Sequence, residues 1–476
     1  MKKDVKYSAY LSSIESDRKE LIKILSKNAD YASALCTDVN GTCYNIGHAR
    51  KSITDVMSAE RGTVVRLIRN GFIHEYSFNI ESKPEELAKT IIRFADNEER
   101  IQKKHGILNY PTDLLVEEEN VFNSSSKAET DIEDISAETI IQKLKSISDK
   151  GMSANPYVIE TMCRFNVTHV SKLFISSKKT MRQSYLYSEG MISVLIKKDK
   201  DVRMNYKGCS ILGGFELLDQ MDSIVDSVVS GAVEMLSSSP AVPGVYDIIT
   251  SPEVSGLIAH EAFGHGVEMD MFVKNRAMGK DFINKQVGSE FVTMQEGACA
   301  AENTATYGFD DEGIEAHNTT EIEKGILKTG VSDVLSAGRL HTVPTGNGRR
   351  SSFERKAYAR MTNTLFKGGT DTLEDMIHSI EYGYLLEGMQ NGMEDPKNWG
   401  IQCVLIKGRE IKNGKLTGKI ISPVILTGYV PELLNSITMA AADVSLEGNG
   451  FCGKGHKEWL KVSDGGPYLK MKGRLG

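Results

Sequence analysis

The chain lacks the features that mark membrane, secreted and nucleic-acid-binding proteins. No stretch of its 476 residues approaches the roughly 18 consecutive apolar residues that a membrane-spanning helix needs. The opening segment, MKKDVKYSAYLSS, has no apolar core of the kind found in secretory signals. The formal charge of −7 also lacks the basic excess of a dedicated nucleic-acid binder. We therefore expect a cytoplasmic protein with no membrane or nucleic-acid partner.

The seven cysteines also lack the short paired spacings of a disulfide framework. Most of them are expected to be small buried side chains. Cys452 differs, because it stands in the glycine-rich segment EGNGFCGKGHKEW, where the backbone can approach a bound group closely.

Mixed helix and strand patterns predict an α+β fold with three parts. These are an N-terminal mixed α/β domain over residues 1–110, an acidic linker with a central antiparallel domain over 111–239, and a β-rich C-terminal domain over 240–476 that carries the metal-site helix. Residues 111–135 contain eight acidic residues and one lysine, which indicates a solvated linker.

Periodicity places the main elements within these parts. Helical spacing of apolar residues predicts helices over residues 12–28, from Pro84, from Ser136 and over 215–238. Four alternating segments between 160 and 210 predict an antiparallel meander. Asn413-Gly414 is typical of a tight hairpin turn.

The segment IAHEAFGHGVE, residues 258–268, carries the chemistry that first suggests a function. His260, Glu261 and His265 supply two imidazoles and a carboxylate, the inventory of a zinc hydrolase. In a regular α-helix, residues five apart point about 140° away from each other. To share one ion, the histidines need a π-bulge or a helix that breaks between them, and Gly264 permits such a break. Spacing alone leaves open whether they are co-ligands or unrelated.

A zinc site needs at least one further protein ligand. The residues alone leave several candidates, which are Glu268, His317, His341, His456 and Cys452. Residues 448–454 also fit the spacing of a phosphate loop, G-x-x-x-x-G-K, but the required Ser or Thr is replaced by Gly455. GNGRR at 346–350 is too short for a dinucleotide fingerprint.

Taken together, the HEAFGH and CGK segments resemble the TldD/PmbA family of metallopeptidases, also called modulators of DNA gyrase. Residues 19–80 resemble the N-terminal domain of that family. Three further blocks are similar in sequence and order, namely residues 246–270, 307–330 and 346–364. Residues 388–400 and the bulky KEWLK near His456 depart from the usual pattern.

The resemblance implies roles for four residues. The metal ligands would be His260, His265 and Cys452, holding Zn²⁺, and Glu261 would be the catalytic glutamate. Having all four, the chain resembles the active, TldD-type subunit. The family implies a homodimer, or a heterodimer with a related TldE/PmbA-type subunit, enclosing a cavity that admits unfolded or extended peptides.

Two further expectations concern the peptide. MTNTLF at 361–366 is a candidate edge strand on which an extended peptide could pair, although an ordinary core strand is an equal alternative. Arg349 and Arg350 could bind a peptide carboxylate, but structural ion pairs are the commoner use. The competing functions are a non-catalytic metal-stabilised scaffold and a regulatory partner of a DNA enzyme.

Overall fold

The computed structural model describes residues 2–106, 117–131, 134–456 and 458–476. Helices and mostly antiparallel strands are mixed along the chain, so the predicted α+β class is confirmed. Among the described residues, no helix combines the length and apolar character required to cross a lipid bilayer.

The first half of the chain builds one large sheet with helices on it. Its elements are β1 (Lys3–Asp4), α1 (Ala9–Leu25), β2 (Tyr31–Ile46), β3 (Lys51–Asp55), β4 (Glu60–Arg69), β5 (Phe72–Phe78), α2 (Pro84–Lys104), β6 (Asn120–Ser125), β7 (Lys127–Ala128), α3 (Ala137–Ser153), β8 (Val158–Ser176), β9 (Lys179–Lys198), β10 (Asp201–Ile211) and α4 (Leu217–Met235).

The strand order in this sheet is β10-β9-β8-β2-β4-β5, with β3 paired to β2 and β6 paired in parallel to β9. Because β2 pairs with β8, the predicted segments 1–110 and 111–239 contribute to one sheet. The antiparallel meander is confirmed, but with three long strands instead of four, since RQSYLYSE and the first eight residues of MISVLIKKD are continuous within β9. Of the predicted acidic linker, residues 111–116 and 132–133 lie outside the described residues, and residues 120–125 form β6.

Local sequence explains where the predicted helices begin. Ser8 caps α1, since its hydroxyl accepts a hydrogen bond from the amide of Leu11. Ser136 caps α3 in the same way by accepting from Thr139. Pro84 occupies the first turn of α2, where its missing N–H costs nothing.

The second half contains more, and shorter, elements. They are β11 (Gly244–Thr250), α5 (Pro252–Ile258), a π-helical turn (Ala259–Gly264), a 3₁₀ turn (His265–Val267), α6 (Met269–Val273), a 3₁₀ turn (Met278–Phe282), β12 (Met294–Glu296), β13 (Thr319–Glu323), β14 (Ile326–Leu327), α7 (Val334–Leu340), β15 (Gly348–Arg349), β16 (Tyr358–Ala359), β17 (Asn363–Phe366), α8 (Leu373–His378), β18 (Tyr382–Asp395), β19 (Gly400–Lys412), β20 (Lys415–Ile421), β21 (Val424–Tyr429), α9 (Val430–Asn435), β22 (Met439–Ala440), β23 (Ser445–Glu447), β24 (Phe451–Lys454), β25 (Glu458–Lys461), β26 (Ser463–Gly466) and β27 (Leu469–Leu475).

Two sheets organise these strands. In the first, β11-β18-β19-β21-β27 form a closed ring, because β11 pairs with both β18 and β27. The second sheet is open, with the order β14-β13-β12-β17-β26-β23. The predicted hairpin is confirmed: Asn413 and Gly414 join β19 to β20 with φ of 49° and 72°.

Helix α5 packs against β26 of the open sheet and β18 of the closed one. Its apolar face enters a shared core, in which Val254, Ile258 and Phe263 are fully buried. The sheets therefore hold the segment carrying His260 and His265 between them, so its position is fixed from both sides.

The edge-strand prediction for MTNTLF is wrong. Strand β17 lies inside the open sheet, paired with β12 on one side and β26 on the other. Both of its hydrogen-bonding edges are occupied and its four residues are buried, so no peptide can add to it.

Candidate metal centre

The helix that carries the two histidines begins directly after strand β11. Ser251 occupies the N-cap position and Pro252 the first turn, where its missing N–H costs nothing. The Ser251 hydroxyl does not cap the backbone, however. It donates instead to the Glu253 carboxylate, 2.8 Å away.

Between the two histidines the helix widens into a π-helical turn over Ala259–Gly264. The amide of His265 donates to the carbonyl of His260, five residues back, which is the π-type hydrogen bond. This turn brings residues five apart onto one face. The prediction that the helix departs from α geometry between these residues is confirmed.

Gly264 is required here for a reason that the sequence did not suggest. Its backbone angles are ordinary for a helix, with φ of −57° and ψ of −53°. A Cβ atom at this position would lie 2.1 Å from the Met361 sulfur. Gly264 therefore provides space for Met361, and it does not break the helix.

The fold brings His260, His265 and Cys452 together. One ligand atom from each lies within 4.8 Å of the others, a spacing that suits a single metal ion. The two imidazole rings are nearly perpendicular, with centroids 5.1 Å apart, and Cys452 Sγ is 3.5 Å from His265 Nε2. Cys452 reaches the site from β24, in the hairpin that β24 forms with β25.

The charges of these groups reinforce one another. Burial alone would raise the pKa of the Cys452 thiol, but the two imidazoles lower it well below its usual range. Burial would lower the pKa of His260, yet the neighbouring thiolate raises it to about 9. The site therefore stabilises a thiolate, which is the form of cysteine that binds metals.

The residues fit a metal ion in two further respects. His260 is almost fully buried, and its Nδ1 has no hydrogen-bond partner among the described residues. His265 Nδ1 contacts the Glu268 carboxylate at 3.2 Å, which favours the tautomer that leaves Nε2 free to face Cys452.

Glu268 is thus placed behind a histidine, although the sequence left it open as a third ligand. Burial would raise its pKa, but Lys454 and His265 hold it well below the usual range of a carboxyl. Lys454 Nζ donates to Glu268 at 3.0 Å, to Asp270 at 2.6 Å and to the carbonyl of Ala359 at 2.9 Å.

This use of Lys454 rules out the phosphate-loop alternative. Its three N–H donors are already satisfied by Glu268, Asp270 and Ala359, and residues 458–461 form a strand where a nucleotide loop needs a helix. His317, His341 and His456 are also absent from the metal-ligand group found among the described residues.

Glu261 is adjacent to His260 and partly exposed at the site. No hydrogen bond or ion pair holds its carboxylate in the described part of the chain. Gly392 of β18 packs against it, since a Cβ at Gly392 would lie 2.5 Å from Glu261 Cγ. No partner among the described residues therefore fixes this carboxylate.

Two buried acids beside the site were missed by sequence reasoning. Burial raises the pKa of Glu394 well above its usual range, and both of its oxygens lack hydrogen-bond partners in the described residues. Burial raises the pKa of Asp464 to about 6, against the opposing charge of His260. Glu394 lies within residues 388–400. The departure of this segment from the usual family pattern was the sequence feature that could have drawn attention to it.

Arg349 and Arg350 bind groups of the protein itself, which the sequence favoured over binding of a peptide carboxylate. Arg349 donates to the carbonyls of Met361, 2.5 Å away, and Lys461, 2.8 Å away. Arg350 forms an ion pair with Glu75 of the first half. Neither guanidinium is available to a peptide.

Comparison with known proteins relates the second half of the chain to a family of metallopeptidases. Residues 243–474 match the PmbA/TldA metallopeptidase C-terminal domain. A metalloprotease of Methanocaldococcus jannaschii is 32% identical over 266 residues, covering 55% of this chain and 58% of that protein. A protein named zinc metalloprotease TldD homolog, from Saccharolobus solfataricus, is 27% identical over 375 residues, or 78% of this chain and 79% of its own length.

The fold is similar to that of a solved structure. TldE from Thermococcus kodakarensis superposes with a TM-score of 0.76 over 96% of this chain and 98% of its own, at 17% identity. At that identity the likeness concerns the fold alone. With residues 243–474 matching the family's own domain, the chain belongs to the PmbA/TldD metallopeptidase family, as its motifs predict.

Proposed function

We propose that this chain is a zinc-dependent metallopeptidase that hydrolyses unfolded or extended peptides. The observation that carries the proposal is the convergence of His260, His265 and Cys452, whose donor atoms lie within 4.8 Å, beside the unpaired carboxylate of Glu261. Three protein ligands leave a position open, as catalytic zinc sites require. The relatives named metalloproteases, one of them a zinc metalloprotease, support the same conclusion.

When bound, zinc would supply Lewis acidity, which polarises a carbonyl and lowers the pKa of water. Glu261 would take the proton from the attacking water and deliver it to the leaving amine. Glu268 would hold His265 in its ligating tautomer, and Lys454 would keep Glu268 ionised.

We also propose that the chain acts as the active subunit of a cytoplasmic dimer. The partner would be a second copy or a TldE/PmbA-type subunit, and the dimer would enclose the cavity in which peptides are cleaved. The presence of all four motif residues and the similarity in fold to TldE support this assembly. An extended peptide would have to pair at an edge other than β17, which has none free.

A non-catalytic, metal-stabilised scaffold is the competing function. Such a site would have four protein ligands and no open position. The metal-ligand group found in the described residues contains three, which favours catalysis.

Glu261→Gln tests the catalytic proposal. We expect the variant to retain zinc but to cleave an unstructured peptide roughly 10²- to 10⁴-fold more slowly, because it removes the general base. Zinc content and peptide cleavage are measured together, with and without a co-expressed partner. Glu290→Gln, at an exposed glutamate, is the control and should leave cleavage unchanged. Parental cleavage by a zinc-loaded Glu261→Gln protein would rule out the proposed base.

Cys452→Ser tests the ligand set separately. A serine hydroxyl is a much weaker zinc ligand than a thiolate, so the purified variant should lose zinc. Full zinc occupancy in this variant would show that the third ligand lies elsewhere.

A further inference from the structure

A cavity with a volume of about 330 Å³ lies between the first sheet and Phe451 of the second half. One side is the face of the first sheet that carries Arg164, Asn166 and Thr168, which alternate along β8 and so point in one direction. The other half contributes Phe451, the residue immediately before Cys452. The cavity therefore begins one residue away from a proposed metal ligand.

A chain of side chains links this cavity to the metal centre. Lys461, which pairs with Phe451 across the β24–β25 hairpin, holds its ammonium group 4.0 Å from the centre of the Phe451 ring. Asp464, three residues further along, is close enough for its charge to interact with Lys461 and with His260 and Glu261. Lys461 and Asp464 are both buried, so they relate the cavity to the metal centre through their charges.

The acidic side chain of the cavity wall is already neutralised. Glu189 forms an ion pair with Lys461, and it accepts a hydrogen bond from the Asn166 amide at 2.5 Å. Both partners and Glu189 itself are buried or nearly so. Glu189 therefore does not compensate the guanidinium of Arg164, two residues along β8 from Asn166.

Arg164 is exposed and has no ion pair or hydrogen bond anywhere in the described ranges. Asp55, the other carboxylate at the cavity, forms no ion pair with it there either. Asp55 pairs with Thr42, which precedes Cys43 along β2, and Cys43 lines the cavity. Because side chains alternate between the two faces along a strand, Thr42 and its partner Asp55 point to the face opposite Cys43. Among the described residues, no carboxylate forms an ion pair with Arg164 in this cavity.

We propose that this cavity is a subsite for a carboxylate of the bound peptide, held by the Arg164 guanidinium. The inference rests on the proposed peptidase function, and it assigns a preference for peptides that carry an acidic group. A planar guanidinium matches a carboxylate through two parallel hydrogen bonds. The carboxylate could be the C-terminus of the peptide or the side chain of an aspartate or glutamate.

The test measures binding in zinc-loaded protein carrying Glu261→Gln, so that no turnover interferes. The probe is one unstructured peptide with a single internal aspartate, made in four forms: free acid or amide at the C-terminus, each with aspartate or asparagine. Arg164→Met should weaken binding of forms with the recognised carboxylate roughly 10- to 100-fold. The form with neither carboxylate should bind equally well with arginine or methionine at position 164. If the C-terminal amide abolishes the effect of Arg164→Met, the recognised carboxylate is the C-terminus. If asparagine abolishes it, the recognised carboxylate is the aspartate side chain.

Two variants control this experiment. Arg164→Lys keeps the charge but loses the two-point geometry, so we expect an intermediate loss of binding. Arg93→Met removes another exposed arginine, on α2, and should leave all four affinities unchanged.

The outcomes separate this inference from the proposed function. If Arg164→Met changes the affinities of acidic and neutral peptides by the same factor, or changes none, the subsite is ruled out even where hydrolysis is intact. If the unmodified active site cleaves no peptide but Arg164 still discriminates acidic from neutral forms, the peptidase proposal fails and the carboxylate subsite stands.

Discussion

Lys454 connects the metal centre to its surroundings through three acceptors. It is largely buried and neutralises both Glu268 and Asp270, so the carboxylate behind His265 stays ionised. A histidine ligand held by such a carboxylate is fixed in orientation and is more basic. The role of Lys454 is therefore to position His265 through Glu268, without contact with the reacting atoms.

Lys454→Met should weaken zinc binding about 10- to 100-fold, the range seen when groups behind metal ligands are changed. It should also destabilise the metal-free protein by about 3–5 kcal/mol, because two buried carboxylates lose their shared cation. Zinc affinity is measured by competition with a chelator, and stability by urea unfolding.

Lys274→Met provides a matched comparison. Lys274 also binds Asp270, at 2.8 Å, but it is more exposed and does not reach Glu268. We expect only a small change in both measurements. Equal zinc affinities in the two variants would show that Lys454 does not position His265.

At the scale of elements, the π-helical turn allows His260 and His265 to lie on the same face. A spacing of five residues places side chains on different sides of an α-helix, whereas a π turn realigns them. The turn is held from outside, since Met361, just before β17, packs into the space left by Gly264. The geometry of the ligands thus depends on a contact with the open sheet.

Gly264→Ala tests this dependence. The added methyl group would lie 2.1 Å from the Met361 sulfur, so the turn or Met361 must move. We expect a loss of about 1–3 kcal/mol in stability and weaker zinc binding. Adding Met361→Ala should restore zinc affinity in the double variant, which thermal unfolding and zinc titration together would detect.

Gly428→Ala in β21 is the control, because a Cβ there meets no atom within 4 Å. If Gly264→Ala binds zinc as well as this control does, the close packing against Met361 does not determine the ligand geometry.

Sequence reasoning succeeded where the determinants are local. The Ser136 cap, the Asn413-Gly414 turn and the π departure all follow from residues a few positions apart. It failed where distant strands decide the outcome. The pairing of β2 with β8 and the two neighbours of β17 depend on sheet topology, which short-range periodicity does not encode. The approach of Cys452 to His265 was obtained only through the family resemblance.

At the scale of the whole molecule, a buried ion-pair network joins the two halves of the chain. Arg66 of β4 binds Glu75 of β5 at 2.8 Å and Glu312 of the second half at 2.6 Å. Arg350, also of the second half, binds Glu75 at 2.5 Å. Since Glu75 accepts from two guanidiniums, one in each half, its carboxylate is one of the groups that connect the halves.

Glu75→Gln should therefore destabilise the protein by about 3–5 kcal/mol at pH 7, as expected for breaking a buried ion pair. Burial would raise the pKa of Glu75, but Arg66 and Arg350 hold it well below its usual range. The folded-state pKa is lower than the unfolded one, so this stabilisation is present above about pH 4.3 and is lost as the pH falls towards the folded value. The stability difference between the parent and the variant should therefore shrink in acid.

Urea unfolding from pH 7 down to pH 3 measures that difference directly. Glu20→Gln, which removes an exposed helix pair with Lys23, should cost at most about 1 kcal/mol at pH 7. If Glu75→Gln costs no more than this control at pH 7, or if its cost does not fall with pH, the network does not hold the halves together. In that case other contacts between the halves, such as the Glu189–Lys461 ion pair and the packing of Gly62 against Phe353, must supply the stability instead.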